Sequence, residues 1–167
     1  MQSAERDYMN LTDKTEEELF ILWGNCRNAL ENSGSTKRHE KANELIAHIK
    51  SEWNRRITDA EQGDYPVTRP QKGMMSRLGY HVGEVEGLLP GARRKIIDLV
   101  MVEQLPFFHS PMYVKEWGEP KSSERYQKLE SFFEGMLNGY YSGDMDRAKD
   151  EWSKDLEYLR ERYKDEY

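Results

Sequence analysis

Two stretches of this chain repeat apolar side chains at intervals of three and four residues, and a stretch rich in glycine and proline separates them. Such spacing places the apolar side chains along one side of an α-helix. The periodic stretches cover residues 15–62 and 122–165, and no segment shows the sustained alternation of apolar and polar residues that is typical of a β-strand. We therefore predict an all-α fold in which two antiparallel helical hairpins flank a central region of short helices.

Polar residues and prolines mark where several helices begin. Thr15 is followed by three glutamates, so its hydroxyl can accept a free backbone N–H while the Glu18 side chain bonds back to Thr15, which is a capping box. Ser122 or Ser123 is placed to cap the first helix of the second hairpin. Pro90 is suited to the first turn of a central helix, because proline lacks the N–H that this turn leaves unpaired.

The predicted boundaries follow the glycine and proline residues. Residues 1–14 form a flexible N-terminal leader, and residues 15–62 form the first hairpin. Residues 63–72 form a linker, because two prolines and a glycine within residues 63–70 preclude a helix. Residues 73–167 contain the central short helices and the second hairpin, and we expect them to form one domain with the first hairpin.

Composition excludes several classes of protein. The chain has one cysteine, Cys26, so neither an intramolecular disulfide nor a cysteine-based metal cluster is expected. No stretch approaches the ~18 consecutive apolar residues that cross a membrane, and the N-terminal residues lack the apolar run of a secretory signal. We therefore expect a cytoplasmic protein. Its net charge of −6 argues against nonspecific binding to duplex nucleic acid, which depends on neutralising phosphates.

The candidates for metal and cofactor sites are weak. Glu40, Glu44, His48 and Glu52 follow one another at four-residue intervals, but di-metal sites in helical bundles need Glu-x-x-His pairs on two helices. We interpret these residues as a solvated helix face and predict no metal. The glycines of residues 79–83 do not match a phosphate-binding loop, and no strand precedes them, so we predict no cofactor.

Two histidines of the central region are the candidates for acid–base chemistry. Neither His81 nor His109 has a carboxylate placed by local sequence to orient its ring. We therefore predict no catalytic residue and a non-enzymatic protein. An enzyme that uses His81 or His109 is kept as an alternative.

An aromatic run in the central region is the candidate site for a protein partner. Phe107, Phe108, Tyr113 and Trp117 lie among prolines that restrict the backbone, and aromatic residues are enriched among interface anchors. Buried aromatic residues are common too, so the run could instead fill the core between the hairpins. We predict a small acidic protein that binds a protein partner through this run, as an adaptor, an inhibitor or a regulatory subunit.

A nucleic-acid-binding module is the second alternative. Arg93, Arg94 and Lys95 open a helix behind a Pro-Gly turn, Arg77 lies upstream, and residues 73–105 have the loose outline of a helix-turn-helix. The predicted turn is longer than the usual three or four residues. Residues 73–118 also carry no net positive charge.

The helical spacing yields a stability prediction for two tryptophans that hold similar places in the two hairpins. Trp53→Ala and Trp152→Ala should each lower the free energy of unfolding by about 3–5 kcal/mol, because each removes a large side chain from a core. Urea unfolding measures the loss. A change below about 0.5 kcal/mol, which is usual for surface positions, would show that the helix face was assigned incorrectly.

Overall fold

A computed structural model of the chain describes residues 8–63, 70–85, 87–108, 110–141 and 143–167. Within these ranges every regular element is helical and no strand occurs, which confirms the predicted all-α class. Most of the predicted linker, residues 64–69, lies outside the described residues. None of the described helices combines the length and the apolar character that crossing a lipid bilayer demands.

The helices begin and end close to the predicted positions. In the described ranges they are a 3₁₀ stretch, Tyr8–Asp13, followed by α1 (Glu16–Asn32), α2 (Thr36–Glu61), α3 (Met74–Arg77), α4 (Pro90–Val102), α5 (Pro111–Lys115), α6 (Ser123–Asn138) and α7 (Asp146–Tyr163). The Thr15 hydroxyl accepts the N–H of Glu18, and the Glu18 carboxylate accepts the N–H of Thr15, so the predicted capping box is confirmed. Ser122 is the residue that caps α6, since its hydroxyl accepts the N–H of Arg125.

The chain divides into two compact units, which we describe separately. The N-terminal unit comprises Met1–Thr68 together with Pro106–Pro111, and the C-terminal unit comprises Arg69–Leu105 together with Met112–Tyr167. The sequence assigned residues 106–111 to the central region. The structure instead places this segment with the first hairpin, because its two phenylalanines pack there.

The core of the N-terminal unit is formed where α1 packs on α2. The rings of Trp23 and Trp53 meet edge to face, with their centroids 5.9 Å apart. The Phe108 ring lies 5.3 Å from that of Phe20 on α1. Phe107 is 2% exposed and Phe108 is 1% exposed. Both side chains are therefore core residues of the N-terminal unit.

The 3₁₀ stretch is held to the same unit by α2. Leu11 is buried, and the Arg56 guanidinium donates hydrogen bonds to the backbone carbonyls of Leu11, Thr12 and Lys14. The predicted flexible leader therefore contains a folded portion from Tyr8 to Asp13.

In the C-terminal unit, α7 packs against both α4 and α6. Its core contains Ile97 and Met101 of α4, Leu129 and Phe133 of α6, and Leu159 of α7, all of them fully buried. Trp152 is buried as well, as the periodicity predicts. A buried arginine lies among these apolar residues.

Arg125 of α6 is surrounded by backbone carbonyl groups. Its guanidinium donates to the carbonyl oxygens of Trp117 (2.7 Å), Gly118 (2.6 Å), Glu103 (3.2 Å) and Val100. These carbonyls lie at or just beyond the C-terminal ends of α4 and α5, where backbone carbonyls carry partial negative charge. Burial lowers the pKa of the guanidinium to about 10, so Arg125 is still charged at neutral pH.

Replacing Arg125 tests how far the C-terminal unit depends on this group. Arg125→Met keeps the apolar stem but removes the buried donor that these four carbonyls share, so we expect a loss of about 3–5 kcal/mol in the free energy of unfolding. Arg125→Lys should lose less, since an ammonium group still donates but cannot span the same carbonyls. Urea unfolding of both variants and of the parent chain measures whether their stabilities follow this order. Near-equal stability of Arg125→Met and the parent chain would contradict this role.

A second stability prediction concerns acid and the N-terminal unit. Glu52 is buried on α2, and its carboxylate accepts hydrogen bonds from Arg55 (2.6 and 2.8 Å) and from Arg56 (2.8 Å). The bonds from Arg55, supported by Arg56, lower the pKa of Glu52 against the opposing effect of burial. A carboxylate whose pKa is lower in the folded state stabilises the fold above its unfolded pKa, and this contribution is lost as the pH falls through the folded value.

We therefore expect Glu52→Gln to cost about 1–2 kcal/mol at neutral pH and little in acid, so that the stability difference from the parent chain shrinks as the pH falls. Urea unfolding from neutral pH to about pH 3 covers this window. Glu44→Gln, at an exposed position on the same helix, is the matched control. Equal pH dependence of the parent chain and Glu52→Gln would contradict the assignment.

Candidate binding cleft

The C-terminal unit contains a cleft of about 1140 Å³. Its lining comes from α3, α5, α6, the start of α7, and the segment of residues 80–85 that follows α3. Most of the lining side chains are apolar. They include four methionines, Met74, Met75, Met136 and Met145.

One face of α6 and one face of α7 supply much of the floor. Lys128, Phe132 and Met136 line the cleft from α6, and their four-residue spacing puts them on one side of that helix. Ala148 and Trp152 follow the same spacing on α7. The periodic side chains of the second hairpin therefore fill the core and also line the cleft.

A hydrogen bond beside the cleft joins the short α3 to α5. The backbone N–H of Met74 donates to the Tyr113 hydroxyl at 2.7 Å. Both residues line the cleft, as does the buried Trp117 just beyond α5. Two of the four predicted partner-binding residues, Tyr113 and Trp117, therefore lie together here, whereas Phe107 and Phe108 belong to the core of the N-terminal unit.

A buried ion pair fixes the start of the segment that forms one wall. The Asp155 carboxylate of α7 accepts hydrogen bonds from Arg93 of α4 and from the Tyr80 hydroxyl, both at 2.6 Å. Arg93 and Asp155 are each 1% exposed. Burial, reinforced by the hydrogen bond to Asp155, raises the pKa of Tyr80, so its hydroxyl remains a neutral donor.

The same arginine binds the backbone a few residues after this segment. Arg93 donates a hydrogen bond to the carbonyl of Leu88 at 2.6 Å and lies 3.4 Å from the Glu151 carboxylate. Glu151 in turn accepts the backbone N–H of Gly83 at 2.8 Å, near the middle of the segment. Side chains of α4 and α7 thus bind Tyr80 and Gly83 within this segment and Leu88 a few residues after it.

Two glycines allow this segment to turn sharply. Gly83 has a φ of +98°, which L side chains rarely adopt. A Cβ on Gly87 would lie 2.1 Å from the carbonyl oxygen of Gly83, so only glycine fits there.

The charged residues at the cleft are predominantly acidic. Glu116 and Lys128 pair with each other at 3.3 Å, and Arg147 lies 3.5 Å from Glu151. The exposed carboxylates of Glu84, Asp144 and Asp146 also line the cleft. Within the described ranges, none of these three pairs with a basic side chain.

Apolar side chains project into solvent at the edges of the cleft. Val85, which lines it, is 95% exposed. Tyr140 is fully exposed beside the lining residue Tyr141. Exposed apolar residues beside an apolar cleft are typical of a surface that a partner covers.

The predicted nucleic-acid residues are distributed between the interior and the surface. Arg93 is buried against Asp155, and the Arg94 guanidinium lies 4.8 Å from the centre of the Tyr158 ring. Lys95 is exposed and Arg77 is half-buried. The run of three basic residues therefore does not form one exposed face. Residues 78–89 separate the four-residue α3 from α4, which is too long for a helix-turn-helix.

The predicted acid–base and metal candidates give no catalytic arrangement in the described residues. His81 lines the cleft and is half-buried, and no described carboxylate hydrogen-bonds its ring, while His109 lies outside the described residues. Glu44 and His48 are exposed, whereas Glu52 is engaged by Arg55 and Arg56. In the part of the chain that the structure describes, no group of three or more metal-binding side chains is close enough to hold an ion.

The cleft was partly foreseeable from the sequence. Tyr113 and Trp117 were singled out, and the spacing of Lys128, Phe132 and Met136 could have indicated an α6 face with a charged end. The methionines of α3 gave no periodic pattern, because α3 is only one turn long. Comparison of the chain with protein-family models, with curated proteins and with solved structures found no match.

Proposed function

We propose that this chain binds a protein partner by accepting an amphipathic helical segment of that partner in the cleft. The observation that carries the proposal is an apolar cleft, lined by methionine and aromatic side chains, that opens to solvent between acidic residues. Methionine side chains are unbranched and polarisable, so they adapt to apolar surfaces of different shape. Docking of an amphipathic helix into such a groove is a recurring mode of peptide recognition.

The size of the cleft favours a peptide segment over a small molecule. Pockets for small ligands usually enclose about 300–1,000 Å³. The volume of about 1140 Å³ exceeds this range. Tyr140 is fully exposed next to the lining residue Tyr141 and extends the apolar surface beyond the cleft itself, which suits an occupant that continues past its ends.

The charges at the cleft favour basic residues on the occupant. Glu84, Asp144 and Asp146 present negative charge at the edges, and the chain as a whole carries a net charge of −6. A positively charged segment would be steered toward this surface and oriented on it. The same field repels phosphate groups, so it supports a basic peptide over nucleic acid as the occupant.

Synthetic helical peptides test the proposal on the full chain. One peptide of about 18 residues, roughly 27 Å when helical, carries a leucine face and lysines on its other face. A second replaces the leucines by serine, and a third replaces the lysines by glutamate. We expect the first to bind most tightly by calorimetry. We also expect its NMR shift changes to include the indole N–H groups of Trp117 and Trp152, which line the cleft.

A pair of exposed aliphatic residues provides the matched variants. Val85→Ser should weaken binding of the first peptide about tenfold, since a buried aliphatic side chain contributes roughly 1.5 kcal/mol or more. Leu89→Ser should leave the affinity unchanged, because Leu89 is exposed but does not line the cleft. Equal losses in the two variants, or equal binding of the serine peptide, would contradict the proposal. Tight, salt-sensitive binding of duplex DNA by the chain would also overturn it.

A further inference from the structure

We infer that Glu151 is the positioning residue of the cleft, and that it holds the segment of residues 80–85 in the shape in which Glu84 and Val85 face the occupant. The effect on binding rests on the proposed function, whereas the effect on the segment itself does not. Glu151 lies on α7 and is only 13% exposed. It is not among the residues that line the cleft, so it would act through the segment and not by touching the occupant.

Hydrogen bonds hold the backbone at Tyr80, at Gly83 and, beyond the segment, at Leu88. Tyr80 is held by its own backbone N–H, which donates to the carbonyl of Met75, and by its hydroxyl bond to Asp155. Leu88 is held by the bond from its N–H to the carbonyl of His81 and by the bond from Arg93 to its own carbonyl. Between these two residues, the Glu151 carboxylate accepts a hydrogen bond from the backbone N–H of Gly83.

The backbone position of Gly83 determines where the next two residues lie. Glu84 and Val85 follow it directly, and they are the exposed acidic and apolar groups that this wall contributes to the cleft. Gly83 has a positive φ. Without a restraint, a glycine samples this conformation and many others. A bond from the amide to a fixed carboxylate selects one of these states and so limits the entropy that binding would otherwise cost.

Glu151 is itself held in place by two arginines. One carboxylate oxygen accepts the Gly83 N–H, and the other lies 3.4 Å from Arg93 and 3.5 Å from Arg147. Arg93 is buried and also bound to Asp155, so it is a rigid neighbour. The side chain of Glu151 is thereby oriented toward Gly83, with an acceptor placed for the amide before any occupant arrives.

Hydrogen exchange at the Gly83 amide in the full, unbound chain tests the restraint directly. Loss of the bond to the carboxylate leaves the amide open to water, so Glu151→Ala should speed exchange at Gly83 by about tenfold or more. Glu151→Gln keeps an oxygen that can accept the amide and should restore at least part of the protection. Glu157→Ala, at an exposed position on the same helix, should leave Gly83 unchanged. Exchange at Leu129 and Leu159, in the core, shows that every variant is folded.

The peptide measurements then separate this inference from the proposed function. We expect Glu151→Ala to weaken binding of the leucine–lysine peptide about tenfold and Glu151→Gln to recover part of that affinity. Unchanged exchange at Gly83 in Glu151→Ala would overturn the inference whatever the peptide does. Equal behaviour of Glu151→Ala and Glu151→Gln would overturn it as well, since the charge near Arg93 would then matter and the bond to Gly83 would not. Altered exchange at Gly83 with no peptide binding in the parent chain would sustain the restraint and reject the proposed function alone.

Discussion

The C-terminal unit buries two guanidinium groups, and its fold must supply hydrogen-bond acceptors for both. A charged group removed from water costs several kcal/mol unless partners surround it. Arg125 meets this need with four backbone carbonyls at the ends of α4 and α5, and Arg93 meets it with Asp155, Leu88 and Glu151. Because each set of acceptors comes from segments that are distant in sequence, each arginine fixes where those segments meet.

The cleft combines this fixed frame with an adaptable lining. Arg93, Asp155 and Glu151 fix the backbone in and just after the segment of residues 80–85. Arg125 binds the carbonyl of Trp117, another residue that lines the cleft. The floor between them contains methionine side chains, whose three rotatable bonds let them follow the shape of an apolar occupant. The cleft therefore has a rigid frame and a lining whose methionine side chains can change rotamer.

The candidate residues show where prediction from sequence succeeds and where it cannot. Phe107 and Trp117 lie ten residues apart in the same aromatic run, yet one belongs to the core of the N-terminal unit and the other lines the cleft. Nothing in their neighbours along the chain distinguishes them, because the difference lies in which distant helix covers each ring. Arg93 was assigned to a basic surface cluster, since its partner Asp155 is 62 residues away in the chain and no local pattern connects the two.

The sequence by itself determined the helices and how several of them begin. The ranges of α1 and α2, the capping box at Thr15 and Glu18, and proline at the start of α4 follow from interactions within about four residues, which a linear pattern contains. Tertiary structure alone decided that Pro106–Pro111 joins the N-terminal unit, that Arg93 lies inside, and that a methionine-lined cleft forms beside α6. Those outcomes depend on which apolar faces cover one another and on where buried charges find acceptors, and both involve residues that are far apart in the chain.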